Sequence, residues 1–116
     1  MNLTVVGTGY VGLVSGACFA ELGHTVRCVD VDARKVNQLS RGDVPFHEPG
    51  LTELVRRNLD ARRLTFALAS DPVVKADVTF ICVGTPSSSD GTADVSAVYR
   101  AARSACFCAI MLLISS

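Results

Sequence analysis

Tryptophan is absent from this 116-residue chain, and aromatic residues make up only 6% of it. Its 11 Lys and Arg balance 11 Asp and Glu, and no basic run stands out. Such a chain offers neither the positive footprint nor the stacking platforms of nucleic-acid binding, so no nucleic-acid partner is expected. No stretch reaches the ~20 apolar residues of a membrane span, so no membrane partner is expected. The N-terminus lacks the basic start of a secretory leader, and its first apolar run breaks at Gly7. The 5 cysteines, at 18, 28, 82, 106 and 108, are odd in number and scattered. They fit neither a disulfide framework nor zinc, and the 2 histidines, His24 and His47, stand alone, so no metal site is expected. Cys18, Cys28 and Cys82 lie in apolar segments and are expected to be small core residues.

What the chain does have is concentrated in its first thirty residues. Half the composition is apolar, enough for the core of one domain. Leu3-Thr4-Val5-Val6 reads as a short strand. It runs directly into Gly7-Thr8-Gly9-Tyr10-Val11-Gly12, a G-x-G-x-x-G, and a helical pattern follows to Leu22, where Gly23 stops it. A second strand, Thr25 to Val29, ends at Asp30, 18 residues after Gly12. Strand, glycine turn, helix, strand and acid in that order are the dinucleotide-binding fingerprint. Gly7 permits the tight turn, Gly9 lets a pyrophosphate approach the backbone, and Gly12 lets helix and strand pack closely. The helix start aims free N–H groups and a positive dipole end at the phosphates. Asp30 would accept hydrogen bonds from a ribose hydroxyl and repel a 2′-phosphate, which favours NAD over NADP; the basic Arg34 and Lys35 blur that preference. The competing reading is a strand-turn-helix whose glycines serve packing alone. With scattered free cysteines, an NAD site points to a reducing, cytoplasmic protein.

The remainder alternates in the same way. Asp32 should cap a helix over 33–41 with Val36 and Leu39 on its apolar stripe, ended by Gly42. A loop with two prolines spans 43–50. Leu51, Leu54, Val55 and Leu59 keep helical spacing, with Arg56 and Arg57 on the wet face. Leu64 to Leu68 reads as a third strand, 72–76 as a short helix begun by Asp71-Pro72, and Val78 to Val83 as a buried parallel strand. Gly84-Thr85-Pro86 follows, then a polar loop and a helix from about Asp94. The fold class is α/β: a Rossmann-like, doubly wound parallel sheet with right-handed crossovers, here truncated. The glycine turn, Asp30 and Gly84-Thr85-Pro86 each end a strand, so three strand ends should converge on one crevice.

G-T-G-Y-V-G-L-V-S-G at 7–16, V-D-V-D-A-R-K-V at 29–36, H-E-P-G-L at 47–51 and F-I-C-V-G-T-P at 80–86 resemble the nucleotide-sugar 6-dehydrogenases, the UDP-glucose/GDP-mannose dehydrogenase family. The E-P-G-L form is closest to the UDP-glucose branch. The resemblance covers residues 1–104, which it marks as an NAD-binding domain. It implies oxidation of a nucleotide sugar at C6 to a carboxylate in two NAD-dependent hydride steps, through a thiohemiacetal and a thioester on a cysteine. It implies that Gly7, Thr8, Gly9, Tyr10, Val11 and Gly12 bind pyrophosphate and that Asp30 binds the adenosine ribose, with Lys35 beside it. It implies that Val83, Gly84, Thr85 and Pro86 line the cofactor, Thr85 by hydrogen bonding. It gives Glu48 no role. The family's catalytic cysteine and its partners lie beyond residue 116, so no residue here is expected to be catalytic, and homo-oligomers are expected only of a complete protein.

The tail departs from the family. Residues 105–114 are ten apolar residues without a turn signal. They read as the mark of a truncated or frame-shifted product with an aggregation-prone tail, whose removal should raise solubility. The rival reading makes 109–114 a makeshift fifth strand. Three functions remain open: a piece of such a dehydrogenase, UDP-glucose or another nucleotide sugar being its substrate; an NAD-binding module without chemistry; or a non-functional truncation.

Overall fold

A computed structural model describes residues 1–71, 76–82 and the backbone of 109–112. Eight elements follow in order: β1 (Asn2–Val6), α1 (Tyr10–Glu21), β2 (Thr25–Asp30), α2 (Ala33–Ser40), α3 (Leu51–Asp60), β3 (Leu64–Leu68), β4 (Val78–Ile81) and β5 (Ala109–Leu112). The five strands form one sheet in the order β3-β2-β1-β4-β5, and every pairing is parallel. β1 is central, with β2 on one side and β4 on the other, so the chain reverses direction across the sheet at β1. That reversal opens a crevice at the carboxyl ends of β1 and β4, where ligands of doubly wound sheets bind. This is the Rossmann arrangement expected from the alternation of the sequence.

Register follows from burial. Leu3, Val5, Val26 and Cys28 alternate inward along β1 and β2, and Val5 pairs with Cys28 and with Phe80. β4 is buried at Thr79, Phe80 and Ile81, as a strand covered on both faces must be. Phe19 of α1 stacks on Phe80 at 4.8 Å between ring centres. The most buried side chains of α1 are Leu13, Ala17 and Ala20, so the helix lies almost against the sheet.

α2 begins as its sequence demands: Asp32 accepts a hydrogen bond from the N–H of Arg34. Gly42, at φ 81, turns the chain out of it. α3 buries Leu51, Val55 and also Asn58, which share one stripe. The Asn58 amide donates to Glu21 and to the carbonyl of Leu54, and its oxygen accepts from Arg63. Arg63 donates as well to the carbonyl of Ala20 at the end of α1. Arg57, on the outer face of α3, pairs with Glu21 at 3.1 Å. The polar cluster ties the last turn of α1 to α3.

Two expectations need correction. Cys18 is exposed, not a core residue. The buried stripe of α1 runs through Leu13, Gly16, Ala17 and Ala20, and Cys18 shares the opposite face with Glu21. Because α1 is apolar nearly all round, its sequence does not mark which side faces the sheet. Arg56 and Arg57 lie exposed on the wet face of α3 as expected, and Arg56 also donates from its Nε to the carbonyl of Gly42 at 3.1 Å. The tail is not simply a loose apolar end, because Ala109 to Leu112 pair in register with Val78 to Ile81. The makeshift-strand reading is the one the structure shows for 109–112. The expected helices at 72–76 and from Asp94 fall outside the described residues, apart from Ala76. Among the described residues no helix is long and apolar enough to cross a membrane.

Candidate dinucleotide-binding site

The glycine turn joins β1 to α1 at the carboxyl edge of the sheet. Gly7 sits at φ 101, a conformation that side chains rarely tolerate, and its N–H donates to the carbonyl of Val29 at 2.8 Å. A Cβ on Gly12 would lie 2.0 Å from the carbonyl oxygen of Gly7 and 3.3 Å from the Cβ of Cys82. Gly12 is therefore fixed by the close approach of helix and strand. Gly9 differs. Its backbone is extended, at φ −69 and ψ −172, and a Cβ there would have nothing within 4 Å. No contact among the described residues requires glycine at position 9. Open space at this position of the turn is what the close approach of a pyrophosphate to the backbone would require.

α1 starts without help from a cap. Gly9 has no side chain to accept a hydrogen bond, and the first turn holds no acidic residue. The first intrahelical bond runs from the N–H of Leu13 to the carbonyl of Gly9. The earlier N–H groups point out of the helix end, where anions are favoured.

Asp30 ends β2 beside this turn. One carboxylate oxygen accepts from both the backbone N–H and the hydroxyl of Thr8, at 2.9 and 2.6 Å, and the other accepts from the N–H of Asp32 at 3.1 Å. Thr8 is itself buried. Its side chain is thus committed to Asp30, and the acid braces the glycine turn. A carboxylate can accept about four hydrogen bonds, so these three leave room for a ribose hydroxyl. Half-burial pushes the Asp30 carboxyl up, but the Thr8 and Asp32 hydrogen bonds and the nearby charge of Lys35 outweigh it, and its pKa falls below the ordinary value. The site's acid is a carboxylate at neutral pH. Lys35 is exposed on α2, near enough to act on Asp30.

Tyr10 opens α1 and is 44% exposed. Its ring meets that of Phe46 edge to face at 5.6 Å. Its hydroxyl bonds to Glu48, which, with slight burial and the carboxylate's charge, raises the phenol's pKa. Sequence reasoning missed this contact: Phe46 and Glu48 sit in a proline-broken loop with no periodicity to place them. Val11 is half-buried and packs against the core. On the β4 side, the N–H of Cys82 bonds to the carbonyl of Val6 at 2.8 Å, which brings that strand end beside the turn. Val83, Gly84, Thr85 and Pro86 follow it and lie outside the described residues. Burial holds Cys28 and Cys82 as neutral thiols, pushing Cys28 up to about 12. Neither is suited to nucleophilic work. Among the described residues no cluster could hold a metal ion.

A parallel sheet reversing at β1, a glycine turn with one glycine open to a ligand, and an acid at the end of β2 define a dinucleotide-binding Rossmann domain. Comparison with known proteins narrows this further. Residues 1–109 match the NAD binding domain of the UDP-glucose/GDP-mannose dehydrogenase family. The chain belongs to that family, and the cofactor of the matched domain is NAD. It is 52% identical to UDP-glucose 6-dehydrogenase of Pseudomonas aeruginosa over 103 residues, which are 88% of this chain and 23% of that protein. Among solved structures, a UDP-glucose dehydrogenase from Pyrobaculum islandicum is 46% identical with a TM-score of 0.82, over 89% of this chain and 24% of the other. The GDP-mannose dehydrogenase from Pseudomonas aeruginosa is 31% identical with a TM-score of 0.90, over 100% of this chain and 29% of the other. The chain thus spans about a quarter of the length of the UDP-glucose 6-dehydrogenases it matches.

Proposed function

We propose that the chain is the NAD-binding portion of a nucleotide-sugar 6-dehydrogenase of the UDP-glucose type, which oxidises UDP-glucose to UDP-glucuronate with two NAD. The observation that carries the binding half is Gly9, an extended-backbone glycine that the described fold does not need, set at the uncapped start of α1. The UDP-glucose reading rests on relatedness: the similarity is 52% to a protein named for that sugar and 31% to one named for GDP-mannose. NAD, when bound, supplies the hydride acceptor.

This chain's residues bind and orient. N–H groups of the first turn of α1 hold the diphosphate. Asp30 accepts from the adenosine ribose, with Lys35 alongside, and Thr8 keeps Asp30 aimed. Gly84, Thr85 and Pro86, with Val83, line the cofactor beyond β4. Residues 1–104 form the binding domain, and the working compartment is the cytoplasm. The sugar site and the catalytic groups belong to the rest of a complete enzyme.

Calorimetric titration of the 116-residue chain with NAD tests the binding half, and saturable binding is the expected result. An assay of NADH formation from UDP-glucose by this chain alone should stay at background, because hydride transfer needs a positioned substrate as well as a cofactor. Absence of NAD binding by the folded chain would overturn the reading.

A further inference from the structure

The loop at 43–50 is fastened to the fold at several points. Arg56 holds the carbonyl of Gly42, Val44 and Phe46 pack against the core, and the N–H of Leu51 closes the loop onto the carbonyl of Glu48 at 3.1 Å. From that loop Phe46 also meets the ring of Tyr10, and Glu48 acts on the same residue's hydroxyl. Tyr10 is the first residue of α1 and the one directly after Gly9.

A phosphate-binding turn faces two conflicting demands. It must be stiff, or binding costs the entropy of ordering it. Its N–H groups must also remain free, which rules out the usual N-cap, since a capping side chain consumes the donors that the ligand needs. Here the β2 side of the turn is stiffened by Thr8 on Asp30. On the other side Gly9 offers no cap, and the helix's first turn has no side-chain acceptor. The only described side-chain grip there is on Tyr10, and it acts through ring and hydroxyl, leaving the backbone donors untouched.

We propose that Phe46 and Glu48 are positioning residues for the dinucleotide: by holding the ring and hydroxyl of Tyr10 they keep the first turn of α1 in the shape that receives a diphosphate, without spending its N–H groups. This rests on the cofactor reading above, but it assigns the 43–50 loop a role in binding and gives Glu48 a partner.

The test pairs two measurements on the 116-residue chain and on Tyr10→Phe, Glu48→Gln, Phe46→Ala and the Tyr10→Phe/Glu48→Gln double variant. Calorimetry reads NAD affinity. Backbone 15N order parameters of residues 10–12, taken without cofactor, read stiffness. Each single substitution should weaken NAD about threefold to tenfold, the range for one partly exposed hydrogen bond or ring contact. The double variant should be no weaker than the worse single, because both remove the same bond. Order parameters should fall from about 0.85 toward about 0.6, with melting temperature unchanged in Tyr10→Phe and Glu48→Gln. Affinities within twofold of the unaltered chain, additive losses, or unchanged order parameters would each overturn the proposal. Glu48 is exposed, so Glu48→Gln keeps the test sound even if Phe46→Ala unfolds. A chain that binds no NAD, yet loosens at residues 10–12 in these variants, would count against the cofactor reading and for the latch.

Discussion

The two glycines at 9 and 12 should separate stability from ligand binding. In Gly12→Ala the new Cβ would sit 2.0 Å from the carbonyl oxygen of Gly7. A carbon and a carbonyl oxygen approach no closer than about 3.3 Å, so α1 must retreat from β1 by roughly 1 Å. It cannot do so freely. Cys82 stands 3.3 Å away on the same side, and the far end of α1 is tied to α3 through Glu21, Asn58 and Arg63. Overpacking of this kind costs about 1–3 kcal/mol, and here it strikes backbone, so the upper half of that range is expected. For a domain of this size about 2–3 kcal/mol lowers the melting temperature by roughly 10–20 °C. Gly9→Ala meets nothing within 4 Å and keeps an ordinary φ of −69. Its folded chain should melt within about 3 °C of the original, or slightly higher, since alanine restricts the unfolded chain. Its NAD affinity should nevertheless collapse, and Gly9→Val should do the same with more bulk. Differential scanning calorimetry and NAD titration on Gly9→Ala, Gly9→Val and Gly12→Ala decide the matter. A Gly9→Ala protein that binds NAD normally would refute the assignment of that open side to a pyrophosphate. A Gly12→Ala protein with unchanged melting would refute the close helix–strand contact.

Other outcomes follow from the same geometry. NAD should bind tighter than NADP, and Asp30→Ala should narrow the gap; equal affinities in the unaltered chain would defeat the ribose assignment. The carboxyl of Asp30 is depressed in the fold, so its stabilisation is fully present above its unfolded value of about 4 and is lost as pH falls through its folded value. Asp30→Asn should therefore flatten the loss of stability as pH falls below about 4, read as urea midpoints, and superimposable profiles would contradict this. Asn58→Leu should destabilise by about 1–3 kcal/mol by removing the buried amide's hydrogen bonds to Glu21 and Arg63, a loss visible in chemical denaturation. Deleting 109–116 should lower the melting temperature and raise aggregation, because it uncovers the backbone edge of β4; a deletion that improves solubility without cost would restore the loose-tail reading.

What could be read from the sequence was what the backbone itself dictates. Gly7 at positive φ and Gly12, where an added Cβ would meet the Gly7 carbonyl at 2.0 Å, are positions that glycine alone suits, so they announce the strand-turn-helix unit directly. β3 was legible to the residue, Leu64 to Leu68, because it is a short β-rich run between turn residues. What failed to show was whatever depends on a distant partner. Cys18 faces outward because of where α1 lies on the sheet, and an all-apolar helix carries no stripe to reveal it. Asn58 looks like a surface residue until Glu21 and Arg63 arrive from 37 and 5 positions away. Phe46 and Glu48 meet Tyr10 only because α2 and α3 hold their loop against α1.

The last strand shows the same limit from the other side. An uncharged apolar run with no turn signal satisfies two opposite descriptions, an exposed sticky end and a strand paired within a sheet. Local propensity cannot choose between them, since both use the same residues. The choice is made by β4, which is central enough to be buried at Thr79, Phe80 and Ile81 and has a free ladder on the side away from β1. A parallel partner for that ladder must come from a segment more than a crossover away in sequence. Ala109 to Leu112 meet that requirement, 31 positions on from Val78 to Ile81, and their pairing gives β4 a neighbour on each side. The strand that delivers Cys82 to the glycine turn is thereby held from both sides, so a run that reads as a defect in the sequence helps to fix the strand beside that turn.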